Sequence, residues 1–301
     1  MIIKQMDSLG ARKLELEILK SKNLPKYKKE RVNQEFRNLI NGEKGEKNTA
    51  YYIDFDLKKS NNWAVIHDLR IEHDGEVAQI DHLLIGRLLD FYVLETKAFG
   101  DTLKMNEDET FLTIYKNEQY AIPSPVEQNG RHIRLLRSAI KQANILPKRL
   151  GITIPTKYHN IILLDPKTNF LRPNKANSNM VMKSDQFLTQ VQKDVDKLVN
   201  ILYAPLQLTK AISPSSLKKL AAKVASLHVK GGFNYKEYFG ITNEDLNSDS
   251  TNITSNQEPQ KTSNYCARCK ADIPPNVAKF CFDQKHRFHG RAYCYNCQNN
   301  Y

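Results

Sequence analysis

The spacing of apolar positions changes period several times along the chain. Between Met1 and Ile40, Leu14 and Ile18, then Val32, Phe36 and Leu39, form narrow stripes at helical spacing in a charged background, and Pro25 interrupts them. One or two helices are predicted here, as an N-terminal extension over residues 1–40. From Asn41 the pattern shortens: Trp63–Ile66, Val77–Asp81, His82–Ile85 and Phe91–Leu94 read as strands between short polar breaks, and Tyr158–Leu164 and Asn179–Met182 supply two more. Helical spacing alternates with them, through Ile133, Leu136, Ile140 and Ala143 and again through Leu188, Val191, Val195, Leu198 and Leu202. Another helix opens on Ser213 with Pro214 at its first position, carries Leu217, Leu220, Val224 and Leu227 inward and is predicted to stop at Gly231-Gly232. Strands interleaved with helices imply an α/β or α+β sandwich over residues 41–240. The stretch 241–263 is then predicted as a flexible linker, because Asn, Ser, Thr, Gln and acidic residues cannot bury enough apolar surface to order it. Residues 264–301 form a separate small module.

Composition adds a partner class. Apolar residues make up 40% of the 301, which excludes wholesale disorder, while 45 Lys+Arg against 33 Asp+Glu leave a net charge of +12. That balance favours a polyanion, either nucleic acid or an anionic surface. No run approaches the ~20 apolar residues of a membrane span, and Met1–Leu24 mixes Lys, Asp and Glu in place of a signal-like apolar core. A soluble, cytoplasmic protein without membrane partners is expected.

All five cysteines fall in the last module, as Cys266-x-x-Cys269, Cys281 and Cys294-x-x-Cys297. Two residues between thiols let both sulfurs of a tight turn face one metal, so the two pairs make a tetrahedral Zn²⁺ site. A segment of this size builds too little core to fold unaided, and metal binding would supply most of its folding free energy. Cys281, His286 and His289 are the competing ligands.

The densest chemistry lies between Asp81 and Lys97. An acid interrupts the apolar run Gln79-Ile-Asp81-His-Leu-Leu-Ile85, and Phe91-Tyr-Val-Leu runs directly into Glu95-Thr96-Lys97. Buried charges are costly unless paired or bound to metal. Alternation along a strand puts Glu95 and Lys97 on one face and leaves the Thr96 carbonyl available to a cation. In a hairpin, Asp81 approaches Glu95. Two carboxylates and a carbonyl are the oxygen ligands that Mg²⁺ prefers, with Lys97 beside them to orient water or stabilise charge on phosphorus. Upstream, Asn41-Gly-Glu-Lys-Gly-Glu46 begins a helix-like segment that brings Glu46 toward the same metal. Downstream, Gln128 and His132 share a helix edge, with Arg131, Arg134 and Arg137 on the opposite arc.

The succession Gly42-x-x-Gly45-Glu46, Gln79-Ile-Asp81-His82, Glu95-Thr-Lys97 and Pro125-x-x-Gln128 resembles the nuclease-related domain (NERD) family of the PD-(D/E)XK nuclease superfamily. The resemblance implies a restriction-endonuclease-like core, a central mixed sheet flanked by helices. It also implies a nuclease cleaving DNA ahead of RNA, with Mg²⁺ or Mn²⁺ as cofactor. Glu46, Asp81, Glu95 and Lys97 take the acidic and lysine roles, and Gln128 is an accessory residue near the scissile phosphate. The cysteine module is similar to the zinc ribbons that accompany nucleic-acid enzymes. Arg131, Arg134 and Arg137 on the helix, and Arg268, Arg287 and Arg291 in the tail, are the candidate phosphate contacts. A non-catalytic binding module on the same fold is the competing expectation. The turn Gly86-Arg-Leu-Leu-Asp90 lacks the second glycine usual before the Glu-x-Lys strand, and Ala98 stands where a polar residue is usual.

Overall fold

The computed structural model describes residues 1–98, 102–173, 180–200, 211–247, 264–269, 272–273, 275–284, 288 and 291–298. The chain divides into two compact units, Met1–Ser248 and Asp249–Tyr301.

In the first unit β1 (Ile2–Lys4) is followed by α1 (Gly10–Ser21) and α2 (Lys26–Leu57), then by the strands β2 (Trp63–His73), β3 (Glu76–Gly86) and β4 (Asp90–Lys97). A meander of β5 (Thr102–Met105), β6 (Phe111–Tyr115) and β7 (Glu118–Ile122) leads into α3 (Pro125–Gln142). A two-residue-arm hairpin, β8 (Lys148–Arg149) and β9 (Ile152–Thr153), precedes β10 (Lys157–Leu164), β11 (Phe170–Leu171), β12 (Val181–Lys183) and α4 (Phe187–Asn200). The unit closes with α5 (Pro214–Ala225), α6 (Tyr235–Phe239) and α7 (Asn243–Asn247).

The central sheet has the order β1-β2-β3-β4-β10-β12. It is mixed: β2, β3 and β4 are antiparallel neighbours, while β1 runs parallel to β2, and β10 parallel to both β4 and β12. One face packs on α3 and α5 through Ile66, Leu83, Val93, Leu136, Ile140 and Leu220. The other face packs on α2 and α4 through Ile53, Leu57, Leu84, Leu94, Phe187 and Val191. This is the expected mixed sheet flanked by helices. No helix among the described residues is long and apolar enough to cross a membrane.

Three segments differ from the sequence expectation at their ends. The helix starting after Pro25 does not stop near residue 40: Gly45, Thr49, Ile53 and Leu57 recur every four residues, all buried, and that row continues α2 across the sheet. Its first half packs Val32 and Leu39 against Leu16, Leu19, Tyr235 and Phe239, so residues 1–40 share a core with the rest of the unit. The expected linker 241–263 likewise begins with ordered residues. Ile241 and Leu246 pack on that cluster, and Lys28 Nζ donates to Asp245 at 2.6 Å; residues 248–263 lie outside the described set. The helix opened by Ser213 ends at Ala225, ahead of Gly231, with Leu227 still packed on the core.

Gly45 fixes how closely α2 approaches β4. A Cβ at Gly45 would stand 2.8 Å from the Ala98 Cβ, whereas one at Gly42 would meet nothing nearer than the Glu46 side chain at 4.0 Å. Replacing a helical glycine by alanine gains about 1 kcal/mol, but overpacking costs about 1–3 kcal/mol. Gly42→Ala is therefore expected to raise the thermal midpoint and Gly45→Ala to lower it, as measured by thermal denaturation of the two variants. Equal shifts would contradict this packing. The small Ala98 is thus the counterpart of Gly45.

Candidate functional site

The acids are positioned by a kink shared between two strands. Ile66 and Leu69 on β2, and Ile80 and Leu83 on β3, face the same core although each pair is three residues apart. Strict alternation would send one of each pair to the other face. The phase shifts at Asp68, whose φ is 55°, and across from it at Asp81-His82. Beyond the kink the β3–β4 ladder ends at His82↔Leu94, and continuing that register by one step sets Asp81 opposite Glu95. Asp81 Oδ2 then accepts the Thr96 N–H at 2.7 Å, replacing a ladder bond with a side-chain one.

The tight turn before β4 has no second glycine. Leu89 adopts φ 63° instead and is fully buried in the core, with its N–H bonded to the Gly86 carbonyl at 2.9 Å. Burial of a leucine stabilises by about 1.5–3 kcal/mol, enough to offset the left-handed strain of about 1–3 kcal/mol. The hairpin closes without the glycine.

Glu95 and Lys97 share a face. Lys97 Nζ donates to Glu95 Oε1 at 2.8 Å and to Gln128 Oε1 at 3.2 Å, so β4 and α3 jointly hold the ammonium. Ser124 caps α3 by accepting the Glu127 N–H, and Pro125 opens it, which sets the phase that turns Gln128 and His132 toward the sheet. Glu95 is buried at 4% exposure, and its Oε2 has no hydrogen-bond partner among the described residues; His132 Nδ1, 3.6 Å away, has none either. Thr96 Oγ1, on the α2 side of β4, is a further buried atom without one. Unpartnered buried polar atoms are rare in folded proteins, and this concentration marks a place where something polar is to be bound.

Glu46, from α2, lines a cavity of ≈ 310 Å³ together with Glu43, Asp68, Asp81 and Arg12. Burial and then the carboxylates of Asp68, Glu95 and Glu43 push Glu46 up to about 7, with Arg12 acting the other way. Burial, followed by Glu95 and Glu46, holds Asp81 well above the usual carboxylate range, against the Thr96 N–H and Lys97. Burial lowers His132, against the pull of Glu95. These carboxylates crowd one another without enough cationic compensation, which is the electrostatic condition that a divalent cation relieves.

The structure therefore brings Glu46, Asp81, Glu95, Thr96, Lys97 and Gln128 to one region of the sheet. Two further residues belong to it. His132 carries no catalytic assignment in the sequence reading, although its position one helical turn beyond Gln128 is legible. Asp68 was missed, because nothing in an alternating strand marks which residue will take a positive φ. His82, next to Asp81, faces the opposite side: its Nδ1 lies 2.7 Å from His67 Nδ1, and His67 Nε2 lies 2.9 Å from Asp54 Oδ1, tying α2 to the sheet. Arg131, Arg134 and Arg137 are exposed on α3, the last with its guanidinium 5.3 Å from the Tyr158 ring centre.

The second unit contains β13 (Asn264–Tyr265) antiparallel to β14 (Asp272–Ile273), then α8 (Pro275–Asp283) and α9 (Tyr295–Gln298). The ligand atoms of Cys266, Cys269, Cys294 and Cys297 all lie within 4.8 Å of one another, and Cys269 Sγ is 3.6 Å from Cys294 Sγ. Thiolates 2.3 Å from a tetrahedral metal would be ~3.8 Å apart. Burial pushes the Cys266 thiol up, but the backbone N–H groups of Cys269, Cys294 and Arg268 pull it down to about 6; burial and the neighbouring sulfurs push Cys297 up to about 12. Four thiols this close cannot all ionise unless a cation joins them, so the donor set fits a metal ion.

Cys281 is not part of that cluster. It is buried in the module's core, where its sulfur accepts the Tyr293 N–H and the Gln298 Nε2–H, both at 3.3 Å. Phe288 and Tyr293 are core residues as well. Arg268 and Arg291 are exposed; Arg287, His286 and His289 lie outside the described residues.

No curated protein and no solved structure matches the chain significantly. A family model does: residues 41–165 match the nuclease-related domain. The matched segment begins within α2, includes Glu46, the β2–β4 strands, the meander and α3, and ends just past β10. Residues 41–165 thus carry a nuclease-related domain (NERD), and the separate C-terminal unit carries a four-cysteine cluster.

Proposed function

We propose that the protein is a metal-dependent nuclease that hydrolyses phosphodiester bonds of DNA, and that its cysteine module holds Zn²⁺ and adds affinity for nucleic acid. The observation that carries this reading is the buried Glu95 carboxylate, which offers Oε1 to Lys97 and leaves Oε2 without a hydrogen bond, 3.6 Å from His132 Nδ1. Asp81, Glu95, Glu46 and the Thr96 carbonyl are the proposed ligands of Mg²⁺ or Mn²⁺. Such an ion supplies Lewis-acid polarisation of the phosphate and lowers the pKa of a bound water. Lys97, held by Glu95 and Gln128, orients that water and stabilises negative charge on the phosphate oxygens. Gln128 is a positioning residue acting through Lys97. Arg131, Arg134 and Arg137, with Arg268, Arg287 and Arg291 of the tail, are proposed to hold backbone phosphates. A non-catalytic module would have no use for a buried carboxylate with an open oxygen, whose desolvation is costly.

Metal binding is testable through stability. In the unfolded chain Glu46 titrates near 4.5, and in the fold at about 7. Between these values the folded state keeps a proton that the unfolded state has lost, so stability without metal is full below 4.5 and falls as pH rises through about 7. A bound divalent cation favours the ionised carboxylates instead. The melting-temperature rise caused by Mg²⁺ is expected to grow from about pH 6 to about pH 8 and to vanish in Asp81→Asn/Glu95→Gln. A rise independent of pH, or one surviving in that variant, would count against a metal at this site.

A further inference from the structure

A second cavity, of ≈ 420 Å³, adjoins the acidic one, and Leu9, Arg12, Asp68 and Gln79 line both. The character of the wall reverses from one to the other. On the far side of Arg12 the lining includes Arg70, Lys230 and the turn Gly231-Gly232-Phe233. Arg12 is pre-set: its Nε and Nη2 donate to the Tyr235 hydroxyl at 3.1 and 2.9 Å, and its guanidinium lies 5.0 Å from the Phe233 ring centre. Arg70 is laid along the floor against Gly231, where a Cβ would stand 3.1 Å from both its Cδ and its Nε.

The acids on this side already have partners. Asp7 accepts from Lys4 and from His228 Nε2, each at 2.9 Å, and Asp68 accepts from the Asp7 N–H at 2.9 Å and from Gln79. Glu72 pairs with Arg70 at 2.6 Å but is itself 51% exposed, so solvent weakens that pair. Lys230 is exposed at the mouth, and Phe233 keeps 41% of its surface open.

We propose that this cleft binds an unpaired nucleic-acid strand where it leaves the cleavage site, with Arg12, Arg70 and Lys230 on a backbone phosphate and the Phe233 ring under a base. The assignment rests on the nuclease reading for the identity of the strand, and on the cleft itself for the contacts. Cations matched with an open aromatic ring are the combination that holds single strands, and the continuity of the two cavities gives one strand access to both.

The test is binding of a short fluorescent single-stranded oligonucleotide by anisotropy, with Ca²⁺ in place of Mg²⁺, compared with a blunt duplex and a mononucleotide. Lys230→Glu and Arg70→Gln should each weaken single-strand binding about tenfold and lower the salt slope by about 1. Gly231→Val should mimic Arg70→Gln by displacing that side chain, and Phe233→Ala should weaken the single strand but not the duplex. Lys230 is exposed, so Lys230→Glu keeps the fold, verified by circular dichroism. Unchanged affinity in Lys230→Glu and Arg70→Gln would overturn the cleft, even if the wild-type protein cuts. Wild-type binding that the variants weaken, without any cutting in Mg²⁺, would overturn only the nuclease reading. Tighter binding of the mononucleotide, or a Phe233→Ala effect equal on both oligonucleotides, would overturn the unpaired strand.

Discussion

Asp81→Asn and Lys97→Met are each expected to reduce metal-dependent phosphodiester cleavage by about three orders of magnitude or more while leaving the fold intact. Asparagine retains an oxygen to accept the Thr96 N–H, so β4 keeps its geometry and only the charge is lost. Because burial and the carboxylates of Glu95 and Glu46 make an ionised Asp81 unfavourable, the metal-free Asp81→Asn protein should be more heat-stable than the wild type near neutral pH. That pairing of lost activity with gained stability is what a strained functional site produces. In Lys97→Met the contacts to Glu95 Oε1 and Gln128 Oε1 both go, leaving a second buried Glu95 oxygen unpartnered, so this variant should be the less stable of the two. Cleavage assays with thermal denaturation of the same samples check both halves. A stabilised Lys97→Met, or activity within about tenfold of wild type in either variant, would contradict the roles proposed.

The second large effect concerns the cysteine module. Its core is a handful of side chains, Ile273, Val277, Ala278, Cys281, Phe288 and Tyr293, around the four-thiol cluster. Structural zinc contributes on the order of 10 kcal/mol in modules of this size, far more than such a core can supply. Cys269→Ser in the whole chain is expected to abolish the proposed stoichiometric zinc, and to expose the module to limited proteolysis while the unit Met1–Ser248 remains resistant. Cys281→Ala should retain zinc, because Cys281 faces Tyr293 and Gln298 and not the cluster. Elemental analysis of the purified variants decides this: full zinc in Cys269→Ser, or its loss in Cys281→Ala, would reverse the ligand assignment.

Much of the fold was legible where local signals agree with tertiary packing. Ser213-Pro214 opens α5 as read, since a cap and a fixed φ need no distant partner, and Ser124-Pro125 opens α3 in the same way. The buried strands β3, β4 and β10 stand out as apolar runs. Other elements depend on contacts that no local pattern announces. β1 is three residues long and exists through its parallel pairing with β2. The row that carries α2 past Gly42 and Gly45 includes a glycine that is useful only because Ala98 lies against it. The meander β5–β7 mixes Lys, Thr and Gln among short apolar stretches and drew no prediction, although Asn117 and Lys116 at its turn both have positive φ. Asp74-Gly75, a typical two-residue hairpin turn, is by contrast a local signal that joins β2 to β3.

The site shows the same division. Glu95 and Lys97 declare themselves by charge against an apolar run, and Gln128 by its helix phase. Asp68 emerges only from the kink that β2 and β3 share, and the open oxygen of Glu95 only from the packing of β4 on α3. The most direct measurement of the central claim is incubation of the whole chain with supercoiled, linear and single-stranded DNA and with RNA, in Mg²⁺ or Mn²⁺ and in chelator. The expected result is cutting of DNA that requires the metal and stops in chelator. Binding without cutting of any substrate in either metal, or cutting that continues undiminished in chelator, would contradict it.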